Sequence, residues 1–282
     1  MSFFRENKFF SRFLPLLLTV VLITTSLYLY FINTAHAGQV AFDFVGPSSA
    51  GTSCTACASL SWSHTVSGSN TLLTASVGVG TSGSDSRTVA VTYNGIAMTS
   101  AGKVHANNGT TGFVELFYLK APSSGANTVQ VTITGGNVDA MSGGSVSFTG
   151  VDQTTPVRNI TTNFGSDTTP TVTISSAAGN MVVDGVSSGC SITSSNQTSR
   201  WITNVGGCSY GGGPGAQSTA AGASSVVMSY AVSSDDWGII GMDVVAASNV
   251  NPHVAVRGGG SATASNVKVR GGVGGGGNVK FR

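Results

Sequence analysis

The acidic side chains are the first residues of this chain that could do chemistry, because a pair of carboxylates can hydrolyse a glycosidic bond. Beyond residue 37 we consider Glu115, Asp184, Asp235, Asp236 and Asp243. Sandwich-type glycosidases usually carry glutamates on inward-facing strands, whereas Glu115 is the only glutamate in this region. No Gly-x-Ser-x-Gly elbow stands at a predicted strand-to-helix turn. The sequence therefore predicts a protein that is not an enzyme, with no catalytic residues and no cofactor.

Two histidines and one pair of aspartates are the next candidates. His64 and His105 lie in predicted strands with no carboxylate beside them, so we interpret both as ordinary polar residues of strands. Asp235-Asp236 could bind calcium, because calcium takes clustered oxygen ligands. However, Ser233 to Asp236 stands where a solvated turn would precede a strand, and no Asp-x-Asp spacing is nearby. We therefore expect a turn and predict no metal site.

Aromatic side chains could bind a sugar by stacking against its ring. For Trp62 and Trp237, which lie in apolar strands, the sequence favours a place in the core. Trp201 and Tyr210 flank Cys208 in a loop-rich, glycine-rich region, and loops often carry binding residues. We therefore predict Trp201 and Tyr210 as ligand contacts.

Four cysteines lie beyond residue 37, and an even number in an exported protein favours disulfides. The simplest pairing joins Cys54 to Cys57 and Cys190 to Cys208, although three connectivities are possible. A redox Cys-x-x-Cys needs a helix N-terminus to lower its thiol pKa, whereas Cys54 to Cys57 leads into a strand pattern. A zinc site of four thiolates is the remaining alternative, but the second pair lacks the usual tight spacing.

The elements that must position these residues are strands. The chain has 282 residues, 39 of them glycine, and only 9% are charged, which excludes a coiled coil, a helical bundle and a charge-rich disordered protein. Short apolar stretches with alternation recur between turn residues, and no sustained 3.6-residue period is present beyond residue 37. Asn94-Gly95, between two such stretches, predicts a tight hairpin.

This pattern predicts an all-β fold, namely a single two-sheet antiparallel β-sandwich of jelly-roll type over residues 38–250. The alternative is two smaller sandwiches divided near 154–170, where the chain is rich in Thr and Ser. Arg5, Lys8 and Arg12 precede an apolar run over 13–32, and Ala35-His36-Ala37 follows it. Residues 1–37 are therefore predicted to be a signal peptide, with an uncleaved membrane anchor as the alternative.

Four phrases carry a resemblance: Ser61–Val66, Val91–Thr99, Val114–Leu119 and Val146–Val151. In this order and spacing they resemble a domain family of bacterial secreted and surface proteins, over roughly residues 40–246. The resemblance implies an extracellular β-sandwich that often accompanies adhesive or repeat modules. It supplies no agreed catalytic residues.

Residues 251–282 form a basic, glycine-rich tail that repeats one phrase three times: His253–Gly259, Asn266–Gly272 and Asn278–Arg282. Each copy alternates apolar and polar residues, so one face of a short strand would be apolar and the other cationic. Residues 38–250 carry five basic and ten acidic side chains, net −5, and the tail carries five basic and no acidic ones, net +5. The basic residues, predicted to contact an anionic surface or a neighbouring subunit, are Arg257, Lys268, Arg270, Lys280 and Arg282. A solvated, disordered end is the alternative.

Taken together, the sequence predicts a secreted or cell-surface module for adhesion or surface assembly. The alternative is a carbohydrate-binding or carbohydrate-active secreted protein. The predicted partners are a cell-envelope component, a neighbouring subunit or a surface glycan. No nucleic acid is expected, because the net charge is only +2, and a membrane contact is expected only if the N-terminal segment stays uncleaved.

Overall fold

The computed structural model describes residues 38–83, 86–208 and 211–248, and the part of the chain from residue 37 to residue 248 forms one compact unit. Its regular structure is almost entirely antiparallel β, with one short 3-10 helix over Ala106–Asn108. The strands are β1 (Ala41–Gly46), β2 (Thr52–Cys57), β3 (Ser59–Val66), β4 (Leu72–Gly80), β5 (Thr88–Tyr93), β6 (Ile96–Ala97), β7 (Thr99–His105), β8 (Phe113–Lys120), β9 (Gly125–Thr134), β10 (Val138–Thr149), β11 (Val157–Gly165), β12 (Thr171–Ile174), β13 (Met181–Ser188), β14 (Ile192–Ser195), β15 (Thr198–Thr203), β16 (Gly215–Ala221), β17 (Val226–Val232) and β18 (Trp237–Val244).

The strands form four sheets. Sheet I has the order β3-β9-β5-β6, and sheet II has the order β1-β10-β4-β8-β7, with β2 also paired to β10. Sheet III has the order β11-β18-β13-β16-β15, and sheet IV has the order β12-β17-β14. The all-β sandwich prediction is confirmed, and the sandwich is built from four sheets where two were expected.

The extra layers follow from strands that are buried on both faces. β4 and β18 are buried at every position, because their residues, apart from Asp243, are apolar or small and each strand is covered from both sides. Three apolar clusters fill the three spaces between the sheets. Leu73 lies in the cluster between sheets I and II, Phe148 in that between sheets II and III, and Met228 in that between sheets III and IV.

The first half of the fold (β1–β10) and the second half (β11–β18) have the same strand order. With β2 and β6 set aside, the strands of each half correspond one by one in chain order: β1 to β11, β3 to β12, β4 to β13, β5 to β14, β7 to β15, β8 to β16, β9 to β17 and β10 to β18. Each half is an eight-stranded unit close to the jelly-roll order. The change from one half to the other falls in the short connection between Thr149 and Val157.

Sheets II and III stack centre to centre, with β4 against β13. β7 at one edge of sheet II packs on β11, while β15 of sheet III reaches β1, where the Arg200 guanidinium lies 3.7 Å from the centroid of the Phe42 ring. β1 corresponds to β11, and β7 corresponds to β15. The contact between β7 and β11 is therefore equivalent to the contact between β15 and β1 when the two halves are exchanged. The halves are therefore related as two subunits about a two-fold axis would be.

The two ends of the described compact unit lie side by side. Val151 and Ala246 form an isolated antiparallel bridge, and Ala247 N–H donates to the Gly150 carbonyl at 2.8 Å. A side chain on Gly38 would collide with the backbone of Ala247. The two ends of the described unit, Gly38 and Ala247, are therefore adjacent.

The local predictions hold best at the Asn94-Gly95 turn. Tyr93 pairs with Ile96 across it, and Asn94 and Gly95 have φ of 49° and 78°, as a two-residue hairpin requires. In contrast, β11 and β16 form in segments rich in Thr, Asn, Ala or Gly that lack the apolar alternation typical of strands. β11 pairs with β18, and β16 pairs with β13. This pairing stabilises the two strands, although their local sequence does not favour strand formation.

Candidate functional site

The two predicted ligand contacts have different outcomes. Trp201 is fully buried, and its indole N–H donates to Gln217 Oε1 at 3.0 Å. The ring fits against Gly51 and Gly144, where any larger residue would overlap it. Because no face of the ring reaches solvent, we remove Trp201 from the sugar-stacking candidates. Tyr210 lies outside the described residues.

Trp62 and Trp237 lie in the core, as predicted, with 6% and 3% of their surfaces exposed. Trp62 donates to Ser145 Oγ at 2.8 Å, and Trp237 donates to Asp167 Oδ1 at 3.1 Å. These two rings therefore act in packing and in fixing sheet positions.

Both predicted disulfides, Cys54–Cys57 and Cys190–Cys208, are present. One cluster within the described ranges gathers three possible metal ligands, namely Cys190, Cys208 and Asp235. Two of these are joined as a disulfide and so offer no thiolate. Asp235 Oδ1 accepts the backbone N–H of Asp236 at 2.7 Å, in the turn that was predicted before β18.

The carboxylates that were considered for hydrolysis take different partners. Glu115 lies in β8 and accepts a hydrogen bond from Ser100 at 2.7 Å. Asp243 is fully buried in β18 and accepts from Arg158 Nε at 2.8 Å and from Asn180 at 2.9 Å. Asp184 lies on β13 in the second half of the fold, among neutral donors. These contacts explain Glu115 and Asp243 as structural groups.

Ser187 fits a Gly-x-Ser-x-Gly spacing that sequence reasoning did not single out, because it stands at no strand-to-helix turn. It lies within β13, and its hydroxyl donates to the Pro214 carbonyl at 3.1 Å. Only 1% of Ser187 is exposed, so the hydroxyl is not presented to a substrate.

The most complete polar constellation surrounds Asp184, between sheets III and IV. Its Oδ1 accepts from Tyr230 OH at 2.7 Å, and from both the backbone N–H and the hydroxyl of Ser218 at 2.8 Å. Its Oδ2 accepts from Gln197 Nε2 at 3.2 Å. Burial raises the pKa of Asp184 to about 7, although these four hydrogen bonds lower it. Burial, together with the charge of Asp184, raises the pKa of Tyr230 well above its usual value.

Both the nitrogen and the oxygen of the Gln197 side-chain amide make further hydrogen bonds. Its Nε2 donates to Ser218 Oγ at 2.6 Å, and its Oε1 accepts the backbone N–H of Ser229 at 3.0 Å. Gln197 stands in the tight turn between β14 and β15, whereas Ser218 lies on β16. The first five residues of β16 are all buried, so no alternation in the sequence indicates the face that Ser218 takes, and no local signal indicates its partner.

A second buried constellation lies in the first half, around His64. Its Nδ1 is 2.8 Å from Ser145 Oγ, the same oxygen that accepts from Trp62. Nε2 is buried with no hydrogen-bond partner, and the ring lies edge-on to those of Phe44 and Tyr93. Burial lowers the pKa of His64 to about 4, although the nearby Asp43 charge raises it. His64 is therefore a neutral group of the interior.

Exposed aromatic and aliphatic side chains lie on two corresponding edge strands. β1 and β11 each pair with one neighbour among the described strands, β10 and β18 respectively, and each contains a register irregularity. We call these strands the edge surfaces. Their exposed apolar side chains have 37% to 44% of their surface accessible: Phe42, Phe44, Ile160 and Phe164.

No family model, curated protein or solved structure matches this chain. The resemblance carried by the four sequence phrases therefore stays a prediction. The two disulfides indicate an oxidising environment. A search of the described residues for a helix that could cross a membrane finds none. The signal segment and the five basic tail residues lie outside the described residues.

Proposed function

We propose that this protein is an extracellular, non-enzymatic β-sandwich module that assembles at the cell surface. Strand addition to the edge surfaces provides the contact, and the occupant is the basic tail of a neighbouring copy. The observation that carries the proposal is the pair of corresponding edge strands, β1 and β11, with aromatic and aliphatic side chains open to solvent. An edge strand of this kind is a template for pairing with another chain.

The tail has the alternating sequence and the positive charge that would suit binding to such an edge strand. Its three phrases alternate Val-x-Val-Arg or Val-x-Phe-Arg, so an added strand places its apolar side chains on one face and its cations on the other. The net charge of −5 over residues 38–250 opposes the +5 of the tail and favours their association. Three such phrases give each chain several chances to bind, which increases avidity.

The carbohydrate alternative has lost part of its basis. Trp201 is buried, and the carboxylates Glu115 and Asp243 hold structural partners. For these reasons assembly is the better-supported function.

The test compares three forms of the protein expressed in a cell that exports it: the full chain, a chain ending at residue 250, and a chain with the five basic tail residues changed to Gln. We expect the full chain in the cell-associated fraction and the truncated chain in the soluble fraction. High salt should release the full chain, since it screens the charge attraction.

A second arm distinguishes strand addition from a purely electrostatic contact with surface polymer. A synthetic peptide with the sequence of Asn266–Gly272 should bind the truncated chain, and a scrambled peptide of equal charge should bind more weakly. Phe44→Asp together with Ile160→Asp should weaken binding of the ordered peptide. Equal fractionation of full and truncated chains, with both monomeric, contradicts the proposal.

A further inference from the structure

The buried group formed by Asp184, Ser218 and Gln197 brings together a hydroxyl, a primary amide and a carboxylate. Ser218 Oγ lies 2.6 Å from Gln197 Nε2, the nitrogen that is bonded to the amide carbon Cδ. The hydroxyl of Ser218 donates to Asp184 Oδ1 at 2.8 Å. This is the arrangement of a serine nucleophile with an adjacent general base.

From this geometry we infer that Ser218 and Gln197 form an intramolecular ester. Ser218 Oγ bonds to Cδ of Gln197, the Cδ–Nε2 bond breaks, and one molecule of ammonia is released. Asp184 accepts the hydroxyl proton as the new bond forms and gives it to the departing nitrogen. Atoms and charges balance without an oxidant, a reductant or a second substrate.

Each reacting atom has a partner that suits its role. The backbone N–H of Ser229 lies 3.0 Å from Gln197 Oε1, so it stabilises the negative charge that develops on that oxygen during attack. Gln197 Nε2 lies 3.2 Å from Asp184 Oδ2 and 2.6 Å from Ser218 Oγ, so the carboxyl group that receives the Ser218 proton also contacts the departing nitrogen. Tyr230 OH, at 2.7 Å from Oδ1, holds the carboxylate in place.

The surroundings suit both the reaction and its product. Asp184 and Ser218 are fully buried, and Tyr230 is 1% exposed, so the base and the nucleophile are shielded from bulk water, while Gln197 is half-buried. A group with a pKa of about 7 can both accept and return a proton near neutral pH. The ester would join the β14–β15 turn to the buried strand β16 in a half that already carries the Cys190–Cys208 disulfide.

A second hydroxyl–amide contact serves as an internal control. Gln217 Nε2 donates to Thr74 Oγ1 at 2.9 Å, and both residues are fully buried. The Thr74 hydroxyl donates to the Val146 carbonyl, so its hydrogen bond goes to a neutral acceptor rather than to a carboxylate. Without a general base, this contact should keep its amide.

The test is the mass of the full chain purified from the host's exported fraction, measured after reduction and alkylation of the cysteines. We expect a mass one ammonia below that calculated for the sequence that starts at the N-terminus found after export. Trypsin cleaves after Arg158, Arg200 and Arg257, so Gln197 and Ser218 fall in different peptides, Asn159–Arg200 and Trp201–Arg257. These peptides should stay joined after reduction, and alkaline hydroxylamine should separate them.

Three variants assign the roles: Ser218→Ala, Gln197→Ala and Asp184→Asn should each give unlinked peptides, whereas Gln217→Ala should keep the link. The measurement on the unmodified chain does not depend on how the variants fold. Separate peptides and a full amide mass, from a chain with both disulfides formed, would overturn the inference. A link that persists in Asp184→Asn, or an equal ammonia loss at Gln217, would overturn the role of the carboxylate.

Discussion

The two halves of the molecule share a strand order, but each buries an ionisable group that has no counterpart in the other half. The first half encloses His64, which is neutral and contacts Ser145, and the second half encloses Asp184, which accepts four hydrogen bonds. Burial lowers the pKa of His64 to about 4 and raises that of Asp184 to about 7. The comparison teaches that strand order does not fix the polar chemistry of a sandwich core.

The largest effect is expected from removing the acid of the second half. Asp184→Ala leaves Tyr230, Ser218 and Gln197 with donors that have lost their acceptor, which should cost about 3–5 kcal/mol of unfolding free energy. Urea unfolding monitored by tryptophan fluorescence measures this change. Asp152→Ala, at an exposed turn residue, is the control, and a similar small loss in both variants would show that the network contributes little.

The two halves also differ in pH dependence, because His64 and Asp184 change the free energy of unfolding in opposite directions as pH rises. Below its unfolded pKa of 6.5, His64 is protonated in the unfolded chain but not in the folded one, so stability falls as pH drops from 6.5 towards 4. Asp184 is ionised in the unfolded chain above 3.8 but stays protonated in the folded one until about 7. Stability therefore falls as pH rises from 4 towards 7.

In the unmodified protein these opposing contributions, about 3 kcal/mol for His64 and about 4 kcal/mol for Asp184, largely cancel between pH 4 and 7. His64→Gln should expose the fall in stability with rising pH, and Asp184→Asn should expose the rise. Unfolding free energies at half-unit pH intervals measure both slopes. Parallel pH profiles for the two variants would contradict the opposition.

A smaller difference between the halves is expected in the stability that each disulfide contributes. Cys190–Cys208 closes a loop of sequence separation 18 and Cys54–Cys57 one of 3, so losing the first should cost about 3 kcal/mol and losing the second about 2 kcal/mol. The measurement is urea unfolding of the two double Cys→Ser variants. An equal cost for both pairs would show that loop length does not decide their contributions.

The smallest effect concerns the edge contact between the halves. Phe42→Leu removes the ring beneath Arg200 but keeps an apolar side chain, and should cost about 0.5–1 kcal/mol. Phe164→Leu, on the corresponding strand β11, is the matched control and should change stability less. Thermal unfolding of the two variants in parallel provides the comparison, and equal shifts would remove any role for the cation.

The sequence predicted what local patterns can determine. Alternation and turn residues indicated antiparallel strands, Asn94-Gly95 indicated its hairpin, and cysteine parity indicated both disulfides. The sequence carried only a weak signal of the four-sheet stack. The residues of β4 and β18 are nearly all apolar or small, a pattern that is typical of strands covered on both faces.

The buried constellations could not be predicted, because they depend on strands that are distant in sequence. His64 and Ser145 are 81 residues apart, and Asp184 and Ser218 are 34 apart. The burial of Trp201 depends on Gly51 and Gly144, which leave room for its ring from the other half of the fold. Pattern alone shows which face a side chain takes, but not which residue meets it there.

The side-by-side ends of the compact unit have a mechanical consequence. Because Gly38 touches Ala247, tension applied between the segments that flank the unit passes through a few backbone contacts at one corner. The stacked sheets lie outside that line of force. A pull on a partner held at β1 or β11 instead loads the hydrogen bonds that join those strands to β10 and β18, so the point of attachment decides which contacts bear the force.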